Sequence, residues 1–252
     1  HIESFLTEDG HSKSVNARAK VGKDDPGHDL YIWDLKQDSV HQIKFDNLTG
    51  IKNRPTFFKN YEKDFNPNLE KPKELIMHLH GFNESDDKLY IELKSYDNKD
   101  RWMAYVDLNE MEVVEIDHQH DEAWIGGPGI SGWNMVKGSA GWLDDNTVYF
   151  QSEESGYSHL YSYNLESKKK KALTQGNWEV HKAQLLNNKK QFLLTANKNH
   201  PGNREIYLLE IKSGKLTPVL TKDGNHEVYL SPDETKLAVR YSYKNQPWEL
   251  YY

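Results

Sequence analysis

Short runs of alternating apolar and polar residues recur along the chain. Residues 88–95 read Lys-Leu-Tyr-Ile-Glu-Leu-Lys-Ser, and side chains at period two on a strand point to opposite faces of a sheet. This run predicts a strand with one buried and one solvent-facing side. Similar runs, rich in β-branched and aromatic residues, are at 147–151, 191–195 and 236–240. No stretch longer than about 12 residues has helical spacing of its apolar positions, so the chain is predicted to be all-β.

The predicted strands recur in a fixed order. A turn rich in Asp and Asn precedes each apolar run, and an aromatic strand follows it after a polar loop. The tyrosines of the aromatic strands, at 31, 105, 161, 207 and 251, are separated by 74, 56, 46 and 44 residues. A four-stranded propeller blade takes about 40–50 residues. The sequence therefore predicts a β-propeller of four-stranded antiparallel blades that pack face to face.

The blade pattern predicts only part of a propeller. Residues 15–45 are predicted to supply three strands of a first blade, and residues 248–252 the third strand of a last blade that has no fourth. Three complete blades are predicted between them, at 75–117, 137–175 and 178–221, with insertions at 46–74 and 117–136. Because domains rarely end on an unpaired strand edge, we expect the single propeller domain at 1–252 to belong to a longer protein.

Composition narrows the class of protein. The chain has 32 Lys and Arg against 39 Asp and Glu, a formal charge of −7, and no cysteine. Mild acidity argues against a general nucleic-acid binder. The absence of cysteine excludes disulfides, thiolate metal sites and a cysteine nucleophile. No apolar run approaches the ~20 residues of a membrane span, and no signal segment opens the chain at His1.

One polar cluster stands out in the second insertion. It contains His118, His120, Asp121 and Glu122, and the two histidines share a face if the segment is extended. They could hold a metal with Asp121 or Glu122, or only solvate a turn. Because spacing fixes no third ligand, we predict no metal or other cofactor and favour a loop that contacts a substrate or partner.

The surroundings of this cluster support a contact loop. A Gly-Gly-Pro-Gly run at 126–129 would let the backbone approach a partner closely. Trp124 and Trp133 flank the run and are either apolar anchors or core residues. Both insertions are predicted on the propeller face that carries the longer loops, and binding sites tend to lie on such loops.

Catalytic motifs are not found. A nucleophile elbow needs Gly-x-Ser-x-Gly, but Trp133 replaces the second glycine around Ser131, and Lys137 replaces the first around Ser139. We also find no His-Glu-x-x-His, P-loop, dinucleotide-binding or EF-hand pattern. The basic run at 168–171 is typical of a solvated turn and strand edge. The chain is therefore predicted to carry no catalytic residues of its own.

Several medium-length motifs resemble one family of propellers. They are at residues 97–102, 117–129, 156–161, 176–180, 200–207 and 241–251. In this order they resemble the propeller domain of the prolyl oligopeptidase family, and most closely that of bacterial members of the dipeptidyl peptidase IV branch. The resemblance is good over 75–252 and looser over 15–75. It adds His200 and Arg204 to the residues expected on the substrate-facing or interface-facing loops.

The resemblance implies a function for the parent protein. In that family a C-terminal α/β-hydrolase domain carries the catalytic triad, and the propeller limits access of short peptides to it. The implied partners are that hydrolase domain and short peptides, and the implied location is periplasmic or secreted. The branch's Tyr-Glu-Glu segment, which holds the free amino terminus of a substrate, has no match here. Periplasmic TolB-type propellers share the Ser-Pro-Asp turn at 231–233, so a binding module without peptidase activity is the alternative.

Overall fold

A computed structural model describes residues 2–16, 27–130 and 138–252. Within these ranges every regular element is a strand except for one short 3-10 helix at Thr56–Asn60. The strands are β1 Ile2–Ser4, β2 Lys13–Val15, β3 Leu30–Asp34, β4 Ser39–Ile43, β5 Leu75–Phe82, β6 Lys88–Ser95, β7 Asp100–Asp107, β8 Glu112–His120, β9 Gly141–Asp144, β10 Thr147–Ser152, β11 His159–Asn164, β12 Lys169–Ala172, β13 Val180–Leu185, β14 Gln191–Ala196, β15 Glu205–Glu210, β16 Leu216–Leu220, β17 Asn225–Leu230, β18 Leu237–Tyr243 and β19 Gln246–Tyr251.

These strands form the blades of a partial propeller. Three antiparallel four-stranded sheets, β5–β8, β9–β12 and β13–β16, coincide with the three predicted complete blades. The last sheet, β17–β19, has three strands, as predicted. The all-β, partial-propeller prediction is therefore confirmed.

The first incomplete blade differs from its prediction. Residues 15–45 were expected to give three strands of one sheet, but in the described part of this segment only β3 and β4 form that sheet. Strand β2 pairs instead with β1, with Val15 opposite Ile2. Strand β1, which is separated from β2 by residues 5–12, satisfies backbone groups of β2.

The core consists of apolar layers between neighbouring blades. One layer joins β3–β4 and the 46–74 segment to the β5–β8 blade. The other three lie between β5–β8 and β9–β12, between β9–β12 and β13–β16, and between β13–β16 and β17–β19. Each inner blade thus buries both of its faces, which is the arrangement of stacked propeller blades.

This stacking overturns one expectation from the alternating pattern. Tyr90, Glu92 and Lys94 were expected on a solvent-facing side of β6, yet all three are buried. Their face meets the β9–β12 blade, where Tyr90 joins an apolar layer. Glu92 forms a buried ion pair there with Arg101, at 2.6 Å, and a hydrogen bond with His80, at 3.1 Å. The polar residues on this face of β6 therefore belong to a partly polar interior between two blades and are not exposed to solvent.

The connections that follow β6 and β8 meet on one face of the propeller. The backbone N–H of Asp121 donates to Lys99 O at 2.9 Å, and that of Ile125 donates to Asn98 O at 2.8 Å. Strand β8 continues to His120, four residues into the segment predicted as an insertion. The 46–74 segment also contacts this face, which we call the long-loop face. None of the described helices is long and apolar enough to cross a membrane.

Candidate functional site

The two histidines of the predicted cluster lie at the end of β8. They pair across to β7, His118 opposite Trp102 and His120 opposite Asp100. Because alternate strand residues share a face, both rings reach the same carboxylate oxygen. His118 Nε2 hydrogen-bonds Asp100 Oδ1 at 2.8 Å, and His120 Nδ1 does so at 2.7 Å. The shared orientation predicted for the two rings is present, but on a strand rather than in a loop.

Asp100 is the centre of this arrangement. Its side chain is 1% exposed and also accepts a hydrogen bond from Lys73 Nζ. Lys73 in turn forms an ion pair of 2.9 Å with Asp97. Burial alone would raise the pKa of Asp100, but hydrogen bonds from His118, Lys73 and His120 lower it to about 2. Asp100 is therefore a carboxylate at physiological pH, with its charge balanced by three donors.

Glu122 connects this cluster to the first insertion. One of its carboxylate oxygens accepts a hydrogen bond from the hydroxyl of Thr56 at 2.5 Å, and the other lies 3.4 Å from His120 Nε2. Lys99 Nζ donates to the backbone oxygens of Glu122 and Ala123. We call Lys73, Asp97, Asp100, His118, His120 and Glu122 the Asp100 cluster. It joins three segments that are distant along the chain.

Asp121 has a local structural role. Its Oδ1 accepts hydrogen bonds from the backbone N–H groups of Ala123, at 2.6 Å, and Trp124, at 2.9 Å. Donation from Trp124 and then from Ala123 lowers the pKa of Asp121. This is the turn-forming use of an aspartate. Among the described residues, no group of three or more His, Asp or Glu side chains has an arrangement that could hold a metal ion.

A cleft of about 270 Å³ opens beside the Asp100 cluster. Its lining residues come from the end of β8, the loop after it and the turn after β10; they are His118, Gln119, His120, Asp121, Ile125, Ser152, Glu153 and Glu154. Burial raises the pKa of Glu153, and the charges of Glu179 and Asp121 raise it further. The cleft therefore presents hydrogen-bonding groups and negative charge to a small polar or cationic group.

The glycine run at 126–129 follows Ile125, which lines this cleft. A side chain at Gly127 would overlap the carboxylate of Glu153, and one at Gly129 would overlap the amide of Gln151. The glycines thus let the loop lie directly on β10. Trp124, just before them, is 57% exposed and so is not a core residue. Trp133, the other predicted anchor, lies outside the described residues.

We expect Gly129→Ala to destabilise the loop by about 1–3 kcal/mol, because it adds both strain and overlap. Gly129 has a φ of +71°, and its loop holds Gln151. Gln151 Nε2 donates to Pro128 O at 3.2 Å and to Val180 O at 2.6 Å, so it links this loop to the next blade. Urea denaturation measures the change. Gly214→Ala is the control, since its φ is +70° but its added methyl meets open space; equal losses in both variants would contradict the overlap.

His200 and Arg204 lie in the loop between β14 and β15. His200 Nδ1 accepts from the N–H of Gly202 at 3.0 Å. Arg204 Nη1 donates to Pro201 O at 3.1 Å and to Asn203 O at 2.7 Å. In the described ranges these bonds stay within one loop, so both residues shape that loop and do not join the Asp100 cluster.

Sequence reasoning missed the residues that hold the site together. Lys99 and Asp100 were included only in a family motif, and Lys73 and Gln151 were not singled out as site residues. A weak signal was available for Asp100, which follows directly after a short Asp-Asn-Lys turn. No sequence signal pointed to Lys73, because its contact with Asp100 joins positions 27 residues apart.

Ser39 and His41 form a serine–histidine hydrogen bond, the contact through which a histidine can activate a serine nucleophile. Ser39 Oγ lies 3.0 Å from His41 Nε2 on strand β4. Within the described ranges, no carboxylate bonds to the other ring nitrogen of His41, and a triad needs such a group to orient its base. This pair therefore does not form a triad.

Comparisons with known proteins agree with the fold. The family model described as "Dipeptidyl peptidase IV (DPP IV) N-terminal region" matches residues 20–248. A Trichophyton verrucosum protein described as a dipeptidyl-aminopeptidase B is 26% identical over 247 residues, which are 89% of this chain and 26% of the relative.

Two crystal structures share the fold. That of a Bacteroides ovatus protein described as a dipeptidyl aminopeptidase IV has a TM-score of 0.64 at 17% identity, over 98% of this chain and 34% of that one. Porphyromonas gingivalis dipeptidyl peptidase 4 has a TM-score of 0.59 at 15% identity, over 85% of this chain and 26% of that one. The chain thus spans about a quarter to a third of the length of these relatives. With the family model matched from residue 20 to residue 248, the chain belongs to the family of dipeptidyl peptidase IV N-terminal regions.

Proposed function

We propose that this chain is the non-catalytic propeller region of a serine peptidase of the dipeptidyl peptidase IV type. In this role it limits the access of short peptides to an α/β-hydrolase domain that is absent from the 252 residues. The observation that carries the proposal is the family match over 20–248. The long-loop face is the surface that would border the hydrolase domain.

The geometry of the long-loop face supports such a role. Its loops are held on rigid blades by the Asp100 cluster and by Gln151, so their positions are fixed by buried hydrogen bonds. The cleft at His118 and Glu153 supplies polar contacts, and exposed Trp124 supplies an apolar one. A face with these properties can select small, partly polar ligands such as peptides.

The chemistry of the parent protein would be acyl transfer. A serine of the hydrolase domain attacks the peptide carbonyl while a histidine transfers the proton to the leaving amine. The propeller contributes binding contacts and restricted entry, and these act on substrate choice rather than on bond breaking.

The first test compares this chain with the complete natural polypeptide. We expect the complete protein to cleave Gly-Pro p-nitroanilide and to react with a fluorophosphonate serine probe. This chain alone should do neither. Probe labelling of the 252 residues would show a nucleophile that the proposal excludes. A complete protein without activity towards short peptides would favour a binding module instead.

A second measurement tests whether the long-loop face contacts the substrate. Trp124→Ala in the complete protein should change kcat/KM for short peptides by about 3-fold to 10-fold, as expected for the loss of one apolar contact. The control is Asp233→Ala, in the turn between β17 and β18 on the opposite face, which should leave kcat/KM unchanged. Equal effects of the two changes would contradict the assignment of the face.

A further inference from the structure

A groove separate from the long-loop cleft lies on the outer rim of the propeller. It runs between the end of β12 and the outer part of the β13–β16 blade, and its volume is about 380 Å³. Twelve residues line it: Lys171, Ala172, Leu173, Thr174, Gln175, Trp178, Lys198, Leu209, Ile211, Ser213, Gly214 and Leu216.

Half of the residues that line this groove, which we call the rim groove, are apolar. Leu173 and Leu209 belong to the buried layer between the two blades, and Trp178, Ile211 and Leu216 pack against that layer while remaining partly exposed. An apolar side chain that enters the groove would therefore extend an existing core. Such burial is favourable by about 25 cal/mol per Å² of apolar surface.

The charge of the rim groove is opposite to that of the chain. The lining includes Lys171 and Lys198 and no Asp or Glu, although the chain has a net charge of −7. Lys169 lies two residues before Lys171 on β12 and therefore on the same face of the strand. Within the described residues, none of these three lysines takes part in a salt bridge. The neighbouring Lys170, in contrast, is paired with Asp117 at 2.7 Å and also with Glu154.

The backbone of β12, beside the groove, is also available for hydrogen bonds to a ligand. Among the described strands, β12 is the outermost of its sheet and pairs with β11 alone. An edge strand offers N–H and C=O groups to an extended segment. Lysines on an edge strand often serve only to keep such edges apart. That role does not account for a second lysine on the opposite wall, Lys198, or for the partly exposed apolar side chains in the groove.

We propose that the rim groove binds an extended acidic peptide segment that carries a large apolar side chain. The apolar side chain packs against the partly exposed Trp178, Ile211 and Leu216. Flanking carboxylates pair with Lys171 and Lys198. This function goes beyond the proposed peptidase role, because the groove is on the outer rim and not in the cleft of the long-loop face. It recruits an acidic partner protein without presenting it for cleavage.

The experiment measures fluorescence anisotropy of a fluorescein-labelled peptide, Glu-Glu-Leu-Leu-Glu-Glu, with the 252-residue chain. We expect saturable binding with a Kd of roughly 100 μM or tighter, weakened as salt rises because the carboxylate–lysine contacts are exposed. A peptide with serines in place of the leucines, and one with lysines in place of the glutamates, should each bind at least about 10-fold more weakly.

Matched variants locate the site. The double change Lys171→Glu and Lys198→Glu should weaken binding at least about 10-fold. The double change Lys44→Glu and Lys236→Glu alters the net charge equally at exposed lysines elsewhere and should leave the Kd within 2-fold. Thermal unfolding checks that both variants fold.

The proposal is overturned by equal losses in both double variants, by equal binding of the leucine and serine peptides, or by no saturable binding. Tight binding to phosphatidylserine vesicles without peptide binding would also overturn it and assign the groove to a membrane surface. None of these results bears on the peptidase proposal, whose readout is substrate cleavage.

Discussion

Replacing Asp100 by asparagine is expected to lower the free energy of unfolding by about 3–5 kcal/mol, since it leaves the buried ammonium group of Lys73 and two histidine donors without their carboxylate. Asp100 is 1% exposed, and Lys73 beside it is nearly as buried. The neutral amide has one acceptor oxygen and an NH₂ group that faces the donors, so part of the cluster is left unsatisfied. Urea denaturation at pH 6 measures the loss. Asp9→Asn is the control, because Asp9 is exposed and should change stability by less than about 0.5 kcal/mol.

The same variant should change the pH dependence of stability. Because the pKa of Asp100 is lowered to about 2, its contribution is present above the unfolded value of about 3.9 and is lost as the pH falls towards 2. The pKa of His120 is raised: burial lowers it, but the hydrogen bond and charge of Asp100 and then Glu122 outweigh burial. Its contribution is therefore present below pH 6.5 and lost as the pH rises through the raised value.

The Asp100 cluster should therefore contribute most to the stability of the chain between about pH 4 and pH 6.5. Asp100→Asn should flatten both limbs of the profile, with the smaller change on the alkaline side, because the His120 side chain is 38% exposed and solvent screens its charge. An unchanged pH profile in a folded Asp100→Asn protein would contradict the role given to the cluster.

The second large effect is expected for Trp102→Ala, with a loss of about 3–5 kcal/mol. Trp102 is 0% exposed and belongs to the layer between the first two blades. Its ring stacks on His118 with centroids 5.2 Å apart, and its Nε1 donates to Thr49 O at 2.7 Å. Removal of the ring leaves a cavity and detaches the start of the 46–74 segment.

Hydrogen exchange distinguishes local detachment of the 46–74 segment from a loss of protection throughout the protein. In Trp102→Ala, amides at 46–74 should lose protection more than those of β14 and β15, which lie two blades away. Trp124→Ala is the matched control: the same side chain is removed where it is 57% exposed, and the stability should change by less than about 0.5 kcal/mol. Similar losses from both tryptophans would contradict the assignment of one to the core and the other to the surface.

The blades could be predicted from the sequence because their signals are local. Each turn rich in Asp and Asn lies next to the apolar run that it precedes, as at Asn83, whose Oδ1 accepts from the N–H groups of Asp87 and Lys88. Repetition of such units at blade spacing then predicts the propeller. The orientation of His118 and His120 was predictable for the same reason, because it depends only on the period of a strand.

The polar interior could not be predicted in this way. Glu92 and Lys94 alternate with Ile91 and Leu93 as solvent-facing residues do, and only the next blade converts their side of the sheet into an interior. Arg101 donates to Gln151 O at 2.6 Å, a contact that joins positions 50 residues apart. Partners of this kind are fixed by the packing of blades, which no local pattern contains.

The layered core determines the order in which parts of the molecule unfold. Because each apolar layer joins only two neighbouring blades, the free energy of folding is close to a sum over nearest neighbours, as in linear repeat arrays. The outer faces of the two end sheets carry exposed aromatics such as Trp33 and Trp248, and each end sheet is held by one layer while an inner blade is held by two. Opening should therefore begin at the ends and move inwards, with the blade β9–β12 as the last cooperative unit to open.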